Sequence, residues 1–403
     1  MNVVENFITK VKINKVRHLK DIEIKLPEDK RTHLILTGRN GSGKTSVLEA
    51  LRLWIWAEVE DDFIKSFILD NLKNDPLKDQ FNFNSDKIGK FAFDYDDTKE
   101  KLQKISGIEA VLKNLNKKRN FIIAYYEAER AYVGSDEKFI ESVQLKNSYK
   151  IYEKPGKDFV KYLMNLKTRE RLYREAENTL IADKIQKWLE RLTNILRNIF
   201  DDPKLELYPD IEELKYKIKE DGKEPFKFDE LSSGYSAIID IVTDLMMRME
   251  KNYGKNYDME GVVLIDEVDA HLHIELQRKI LPFLTELFPN IQFIVSTHSP
   301  YILTSISNAV IYDLEKKVQF NDMSNYSIGD ISEGYFDTLD YSIKLQEDFD
   351  KYKRLLNKNY ITEQERKERA TLRMKFKNIS GELAPRIKSE FDEIEKERNN
   401  GQN

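Results

Sequence analysis

A glycine-rich loop carries the strongest chemical signal in this sequence. It reads Gly38-Arg-Asn-Gly-Ser-Gly-Lys-Thr45 and fits the G-x-x-x-x-G-K-[ST] pattern at every fixed position. Glycines let consecutive backbone N–H groups turn towards phosphate oxygens, and the predicted helix that follows adds positive potential. Lys44 then reaches the β- and γ-phosphates of a nucleoside triphosphate, and the Thr45 hydroxyl binds Mg²⁺. The predicted nucleotide contacts are Gly38, Arg39, Asn40, Gly41, Ser42, Gly43, Lys44, Thr45 and Ser46.

Two adjacent carboxylates follow a buried-strand pattern further along the chain. The run Val262–Ile265 is continuously apolar, and Asp266 and Glu267 come directly after it. Such a strand brings Asp266 beside the phosphate loop, where its carboxylate orients Mg²⁺, and leaves Glu267 to polarise an attacking water as general base. By itself this pattern is common. In combination with the glycine loop it predicts nucleotide hydrolysis.

Two weaker motifs complete the series. Ser232, Ser233 and Gly234 open a predicted helix and supply donors at its N-terminus, although alone they are more typical of an ordinary helix cap. His298 ends an apolar run that begins at Phe293, and alone it fits a structural histidine. The order of the four motifs is the informative feature, because small GTPases and nucleotide kinases do not need this series.

With these motifs, residues Ile8–Trp56 and Phe228–Ile306 resemble the ABC-type ATPases, the superfamily of the SMC, RecF and OLD proteins. The resemblance implies ATP and Mg²⁺ as ligands. It also implies that Ser232, Ser233 and Gly234 contact the γ-phosphate held by an opposite protomer, that Asp269 lies in the D-loop, and that His298 is the switch histidine. Ser233 stands where the usual Leu-Ser-Gly-Gly signature has its first glycine. A Q-loop glutamine has no clear position, with Gln80 and Gln103 as candidates.

The segment from Ala57 to Asp229 is too short and broken for the long coiled-coil arms of SMC and repair ATPases. What remains resembles the compact ATPases of bacterial anti-phage systems, such as the Septu and PARIS types, in which a separate nuclease or other effector is encoded nearby. The block Ile123–Arg130 is similar to a strand and Glu/Arg turn of such proteins, or is an ordinary strand-end salt bridge. The alternatives are a RecF-like DNA-repair ATPase and a non-hydrolysing nucleotide-binding scaffold. A set comprising Lys44, Asp266, Glu267 and His298 argues against the scaffold.

The elements that must position these residues form a predicted α/β fold. It is a P-loop ABC-type ATPase head with an N-terminal antiparallel β-subdomain, a mostly parallel core sheet, a helical insertion and C-terminal helices. Alternation predicts that Ile8–Ile13 pairs with Ile22–Leu26, and Asp221-Gly222 predicts a hairpin that joins Leu214–Ile218 to Pro225–Phe228. Three- and four-residue spacing predicts helix within Lys157–Phe200. The predicted divisions are 1–56 and 206–330 for the two halves of the head, 57–205 for the insertion and 331–403 for a partner-binding helical segment.

Composition limits the remaining functions. Acidic residues outnumber basic ones by 71 to 66 among 403 residues, which argues against a strongly basic nucleic-acid binder. No cysteine is present, so thiolate chemistry and cysteine-based metal sites are excluded. Local clusters at Lys113–Arg119 and Lys167–Arg174 either contact DNA or RNA or form solvated helix faces. The sequence shows neither a signal peptide nor a membrane span, so we expect a cytoplasmic protein. The resemblance to ABC-type ATPases implies a homodimer or higher oligomer through composite ATP sites.

Overall fold

A computed structural model describes most of the chain. The described residues are 6–59, 108–113, 121–134, 142–210, 212–213, 215–251, 259–331, 343–358, 360–379 and 385–400. The strands are β1 (Phe7–Val16), β2 (Leu19–Lys25), β3 (His33–Thr37), β4 (Ile108–Lys113), β5 (Ile122–Tyr126), β6 (Glu206–Asp210), β7 (Lys215–Lys219), β8 (Gly261–Ile265), β9 (Ile291–Ser296), β10 (Ala309–Asp313) and β11 (Val318–Phe320). The helices are α1 (Lys44–Val59), α2 (Phe159–Glu175), α3 (Thr179–Phe200), α4 (Ser233–Met249), α5 (Ile274–Leu287), α6 (Pro300–Leu303), α7 (Ile328–Asp330), α8 (Ile343–Asn357), α9 (Glu363–Lys377) and α10 (Pro385–Asn400).

The chain divides into two compact units, Met1–Asn325 and Tyr326–Asn403. The first unit contains a six-stranded sheet in the order β11-β10-β3-β9-β8-β5. All neighbours in it are parallel except β11, which runs antiparallel to β10 at one edge. Strands β3, β8 and β9 are buried along their whole lengths, which explains their continuous apolar runs. The predicted α/β fold with a mostly parallel core sheet is confirmed.

An antiparallel sheet in the order β2-β1-β4 belongs to the same unit. Lys10 lies opposite Lys25 and Ile13 lies opposite Ile22, so the predicted pairing of the first two strands is confirmed. Strand β4 extends this sheet from within the segment 57–205, which the sequence predicts to be a helical insertion. In the six-stranded sheet, the carboxyl ends of the parallel strands β3, β8 and β9 lead directly into the predicted functional motifs.

The predicted helical segment 157–200 forms the helices α2 and α3. Glu177 adopts a left-handed backbone conformation with φ of 56° and separates them. The apolar positions predicted from the spacing line the inner side of α3, where Ile185, Trp188 and Leu192 are buried. Helix α3 begins at an Asn178 cap, whose side chain accepts from the N–H of Ile181, and it ends before a left-handed Asp201.

The hairpin predicted around Asp221-Gly222 is confirmed only as a single antiparallel bridge and not as a pair of full strands. Strand β7 pairs along its length with β6, while only Ile218 forms a bridge to Phe226 across the turn. Phe228 begins a 3₁₀ turn instead of continuing a strand. The Phe228 ring is buried at an edge-on contact with Phe159 and a tilted contact with Tyr132. Tertiary packing of this ring, and not strand pairing, therefore determines how the segment ends.

The C-terminal unit is helical in the described residues from Ile328 onwards. Helices α8, α9 and α10 surround an aromatic core of Phe349, Tyr352, Phe376 and Phe391. Helix α10 continues to Asn400 and buries Phe391. No helix in the described parts of either unit has the length and apolar character needed to cross a membrane.

Candidate nucleotide site

The glycine-rich loop links β3 to α1 in a tight backbone turn. Gly38, Gly41 and Gly43 have φ angles of 131°, 83° and 99°, a region that side-chain-bearing residues rarely adopt. A Cβ atom at Gly38 would lie 2.8 Å from Ser42 Oγ, and one at Gly43 would lie 2.9 Å from a Leu19 methyl group. Conformation therefore favours glycine at all three positions, and the space around Gly38 and Gly43 favours it as well.

Lys44 lies at the centre of the site. Its side chain is buried, and Nζ donates to the carbonyl oxygens of Gly38 at 3.0 Å and Arg39 at 3.3 Å. The same atom contacts Nε2 of His298, 254 positions away in the sequence. Burial lowers the pKa of Lys44, and the surrounding carboxylates of Glu267, Asp266, Asp269 and Asp313 oppose that shift.

The carboxyl ends of β8 and β9 hold the acidic residues in place. Asp266 is buried and accepts a hydrogen bond from Ser296 Oγ at 2.5 Å. Ser296 Oγ in turn accepts from the backbone N–H of Glu267 at 2.7 Å. One residue beyond the end of β9, the Thr297 hydroxyl donates to Asp269. Two neighbouring hydroxyls therefore hold the Asp266 carboxylate, the backbone N–H of Glu267 and the Asp269 carboxylate.

The serine-rich turn lies at the start of α4. Ser232 and Ser233 are exposed, whereas Gly234 is buried. A Cβ at Gly234 would lie 2.9 Å from the carbonyl oxygen of His271, so glycine lets this helix approach the segment that follows Asp269. Ser232 and Ser233 therefore lie at the surface of the described part of the chain.

The residues of this site fit a nucleotide with Mg²⁺. Ser42 Oγ is buried without a hydrogen-bond partner inside the loop, and a phosphate oxygen would satisfy it. Thr45 is exposed in the first turn of α1, and Asp266 lies at the end of a parallel strand. Hydroxyl and carboxylate oxygens are the ligands that Mg²⁺ prefers.

Three residues that the sequence analysis did not assign belong to this neighbourhood. Ser296 and Asp313 lie at the ends of β9 and β10. Their presence near the site could have been predicted from the sequence, because the carboxyl ends of parallel strands meet at one edge of the sheet. Arg130, after β5, donates to backbone carbonyls of the Asp266–Val268 turn. No local pattern indicated that contact.

Other predicted residues lie outside this geometry. The Q-loop candidates Gln80 and Gln103 fall outside the described residues, as do residues 114–119 of the first basic cluster. In the second cluster, Lys167 pairs with Glu170 at 3.1 Å, and Arg174 pairs with both Glu170 and Asp183. Nucleic-acid contact stays a prediction.

Comparison with known proteins identifies the family. Residues 34–304 match the family model described as "AAA domain, putative AbiEii toxin, Type IV TA system". The chain belongs to this family. The matched region begins within β3 and ends just after α6, so it contains the glycine loop, the Asp266-Glu267 turn and His298.

Curated relatives of this AAA-family chain include defence-system ATPases. A Septu protein PtuA from Bacillus mycoides is 26% identical over 92% of the chain and 50% of its own length. The Retron Ec83 probable ATPase of Escherichia coli is 34% identical over 36% of the chain and 29% of its own length. The chain thus spans half or less of the length of these relatives. The predicted resemblance to Septu-type ATPases is confirmed.

Solved structures similar to the AAA-family chain include SMC heads. The SMC head domain from Thermotoga maritima matches at 13% identity with a TM-score of 0.34, over 76% of this chain and 94% of that one.

Proposed function

We propose that this protein binds and hydrolyses ATP and works as a molecular switch of the SMC/RecF-like class. The observation that carries the proposal is the convergence of Lys44, His298 and the Asp266-Glu267 turn at adjacent strand ends, although these residues are far apart in the sequence. Lys44, Glu267 and His298 act in catalysis. Residues 38–46 bind the phosphates.

Each group has a distinct task in the proposed reaction. Glu267 accepts a proton from the attacking water, Lys44 donates to the β- and γ-phosphates, and His298 orients the terminal phosphate. Thr45 and Asp266 would hold Mg²⁺, which supplies positive charge against the phosphate oxygens.

We propose further that two protomers enclose two ATP molecules. The exposed Ser232 and Ser233 hydroxyls and the N–H of Gly234 at the start of α4 would contact the triphosphate bound in the opposite chain, with Asp269 nearby. A nucleotide gripped from both sides binds the closed dimer more tightly than the open one, so its hydrolysis shifts the equilibrium towards the open state.

The proposed biological role is the ATPase subunit of an anti-phage defence system that controls a separate nuclease or toxin effector. Similarity to the Septu and retron proteins supports this role. The helical segment 331–403 is the proposed partner-binding region, and the other proposed divisions of the chain are the head halves 1–56 and 206–330 and the insertion 57–205. The measurement is phage plating efficiency on a host that carries the whole native locus. Protection should disappear when Glu267→Gln replaces wild type, and unchanged protection would contradict the role.

The enzymatic proposal is tested by measuring ATP turnover of wild type and Glu267→Gln. We expect the variant to lose at least about 100-fold in turnover while it still binds ATP, because only the proton acceptor is removed. Glu286→Gln, at an exposed position of α5, is the matched control and should behave like wild type. Normal turnover in Glu267→Gln would refute the site assignment.

A further inference from the structure

Arg130 makes an unusual set of contacts beside the proposed active site. Its side chain is 8% exposed and comes four residues after β5. The guanidinium donates to the carbonyl oxygens of Asp266 at 2.9 Å, Glu267 at 3.2 Å and Val268 at 3.0 Å, and to that of Glu127 at 3.0 Å. One side chain thus contacts three consecutive peptide groups of the turn that carries the proposed general base.

The backbone of this turn needs such support. Glu267 has a φ of 42°, in the left-handed region that is unfavourable for a residue with a side chain. On one side its N–H donates to Ser296 Oγ at 2.7 Å, and on the other its carbonyl accepts from Arg130. These two contacts clamp the peptide groups on both sides of the Glu267 Cα, and so determine the direction in which the carboxylate leaves the backbone.

The chemistry of arginine suits this position better than that of lysine. The guanidinium is planar and carries five N–H donors in a fixed fork, so it can satisfy several carbonyls at once. Burial lowers the pKa of Arg130, and the carboxylates of Asp240, Asp269, Asp266 and Glu267 oppose the shift. Because guanidinium stays protonated in proteins, it also places a fixed positive charge behind these carboxylates.

We propose that Arg130 is a positioning residue that holds the Asp266–Val268 turn in its strained conformation and so aims Glu267 at the attacking water. This inference rests on the proposed ATP hydrolysis. It predicts a loss of turnover without a matching loss of nucleotide affinity, because Lys44 and the glycine loop have no hydrogen bond to Arg130 among its described contacts.

The test compares Arg130→Lys and Arg130→Gln with a matched control, Arg248→Lys. Arg248 is also buried and donates to the Asp244 carboxylate and to the backbone carbonyls of Ile123, Lys150 and Glu153, whereas its described hydrogen bonds do not include the Asp266–Val268 turn. ATP affinity, single-turnover hydrolysis and Tm are measured for each full-length protein. We expect the Arg130 variants to lose roughly 10- to 100-fold in hydrolysis rate with affinity within about threefold of wild type. Arg248→Lys should lower Tm without that selective loss.

A double variant separates positioning from general stabilisation. If Arg130 acts through Glu267, then adding Arg130→Lys to Glu267→Gln should cause little further loss of rate, because the two changes remove the same function. The proposal would be overturned if the losses in hydrolysis rate of the two single variants were fully additive in the double variant. It would also be overturned if Arg248→Lys showed an equal selective loss of hydrolysis rate, or if neither Arg130 variant folded. If wild type itself does not hydrolyse ATP, the proposed function fails. If Glu267→Gln is inactive while Arg130→Lys keeps wild-type turnover, only this inference fails.

Discussion

Lys44 and His298 share a contact that determines which ring nitrogen of the histidine can act as an acceptor. An ammonium group has donors only, so Nε2 of a neutral His298 must accept from Lys44. Burial lowers the pKa of His298 below its ordinary value of 6.5, and the Lys44 cation lowers it further, against the opposing charges of Asp269 and Glu267. The imidazole is therefore neutral at pH 7, as a hydrogen-bond partner of Lys44 must be.

Removing the Lys44 charge should raise the pKa of His298. We expect Lys44→Met to shift the pKa of His298 upward, because the Lys44 cation, one of the two causes of the lowered value, is lost. An NMR titration of the histidine rings, with the His298 signal assigned from a His298→Gln variant, measures this shift. Arg39→Met is the control, since Arg39 is exposed and faces Glu315 instead. An unchanged His298 pKa in Lys44→Met would contradict the contact.

At the scale of elements, a buried carboxyl group joins the helical insertion to α4. Glu250, directly after α4, accepts a hydrogen bond from Trp188 Nε1 of α3 at 2.8 Å. Burial is the main cause that raises the pKa of Glu250 from 4.5 to about 7, while Trp188, Tyr162 and Arg191 oppose the shift. The junction between these helices therefore contains an acid that is partly protonated near neutral pH.

This junction should make folding stability depend on pH. The folded chain binds a proton at Glu250 more tightly than the unfolded chain does, so the contribution of Glu250 to stability is fully present below about pH 4.5 and is lost as pH rises through about 7. Between pH 5 and pH 8, Glu250 should account for a fall of roughly 1–3 kcal/mol in the free energy of unfolding. Urea denaturation at pH 5 and at pH 8 measures this difference in the free energy of unfolding.

Glu250→Gln should remove that component, because the amide does not ionise in this range. Glu190→Gln provides the control, as Glu190 is exposed on the same helix as Trp188. If the difference in stability between pH 5 and pH 8 is the same in Glu250→Gln as in wild type, the buried acid does not control this junction.

At the scale of the whole molecule, the exposed Ser232–Ser233 turn matters most, because it predicts that function requires two chains. A Lys44→Ala chain lacks a working phosphate loop but keeps its serine turn, whereas Ser233→Arg has the opposite defect. Each should be inactive alone. An equal mixture should recover about a quarter of wild-type ATPase activity, since half of the dimers are mixed and each mixed dimer contains one intact composite site. A mixture as inactive as its components would show that each chain completes its own site.

Local patterns predicted much of this protein. The glycine loop could be recognised because its chemistry depends on residues within one turn of chain. The first two strands and the apolar side of α3 could be predicted because their periods of two and about 3.6 are set by local backbone geometry. The Val262–Ile265 run indicated a buried parallel strand because a strand that is covered on both faces is apolar at every position. The acidic pair and His298 were identified from their positions at strand ends.

The tertiary structure decided how these pieces meet. Sequence did not specify that β9 lies between β3 and β8, yet this order brings Lys44 to His298 and Ser296 to Asp266. It also did not indicate that β6 pairs with β7, or that Arg130 contacts the Asp266–Val268 turn. These contacts depend on groups that become neighbours only when the chain has folded. A local sequence pattern does not reveal them, because every residue other than proline carries the same backbone N–H and C=O groups.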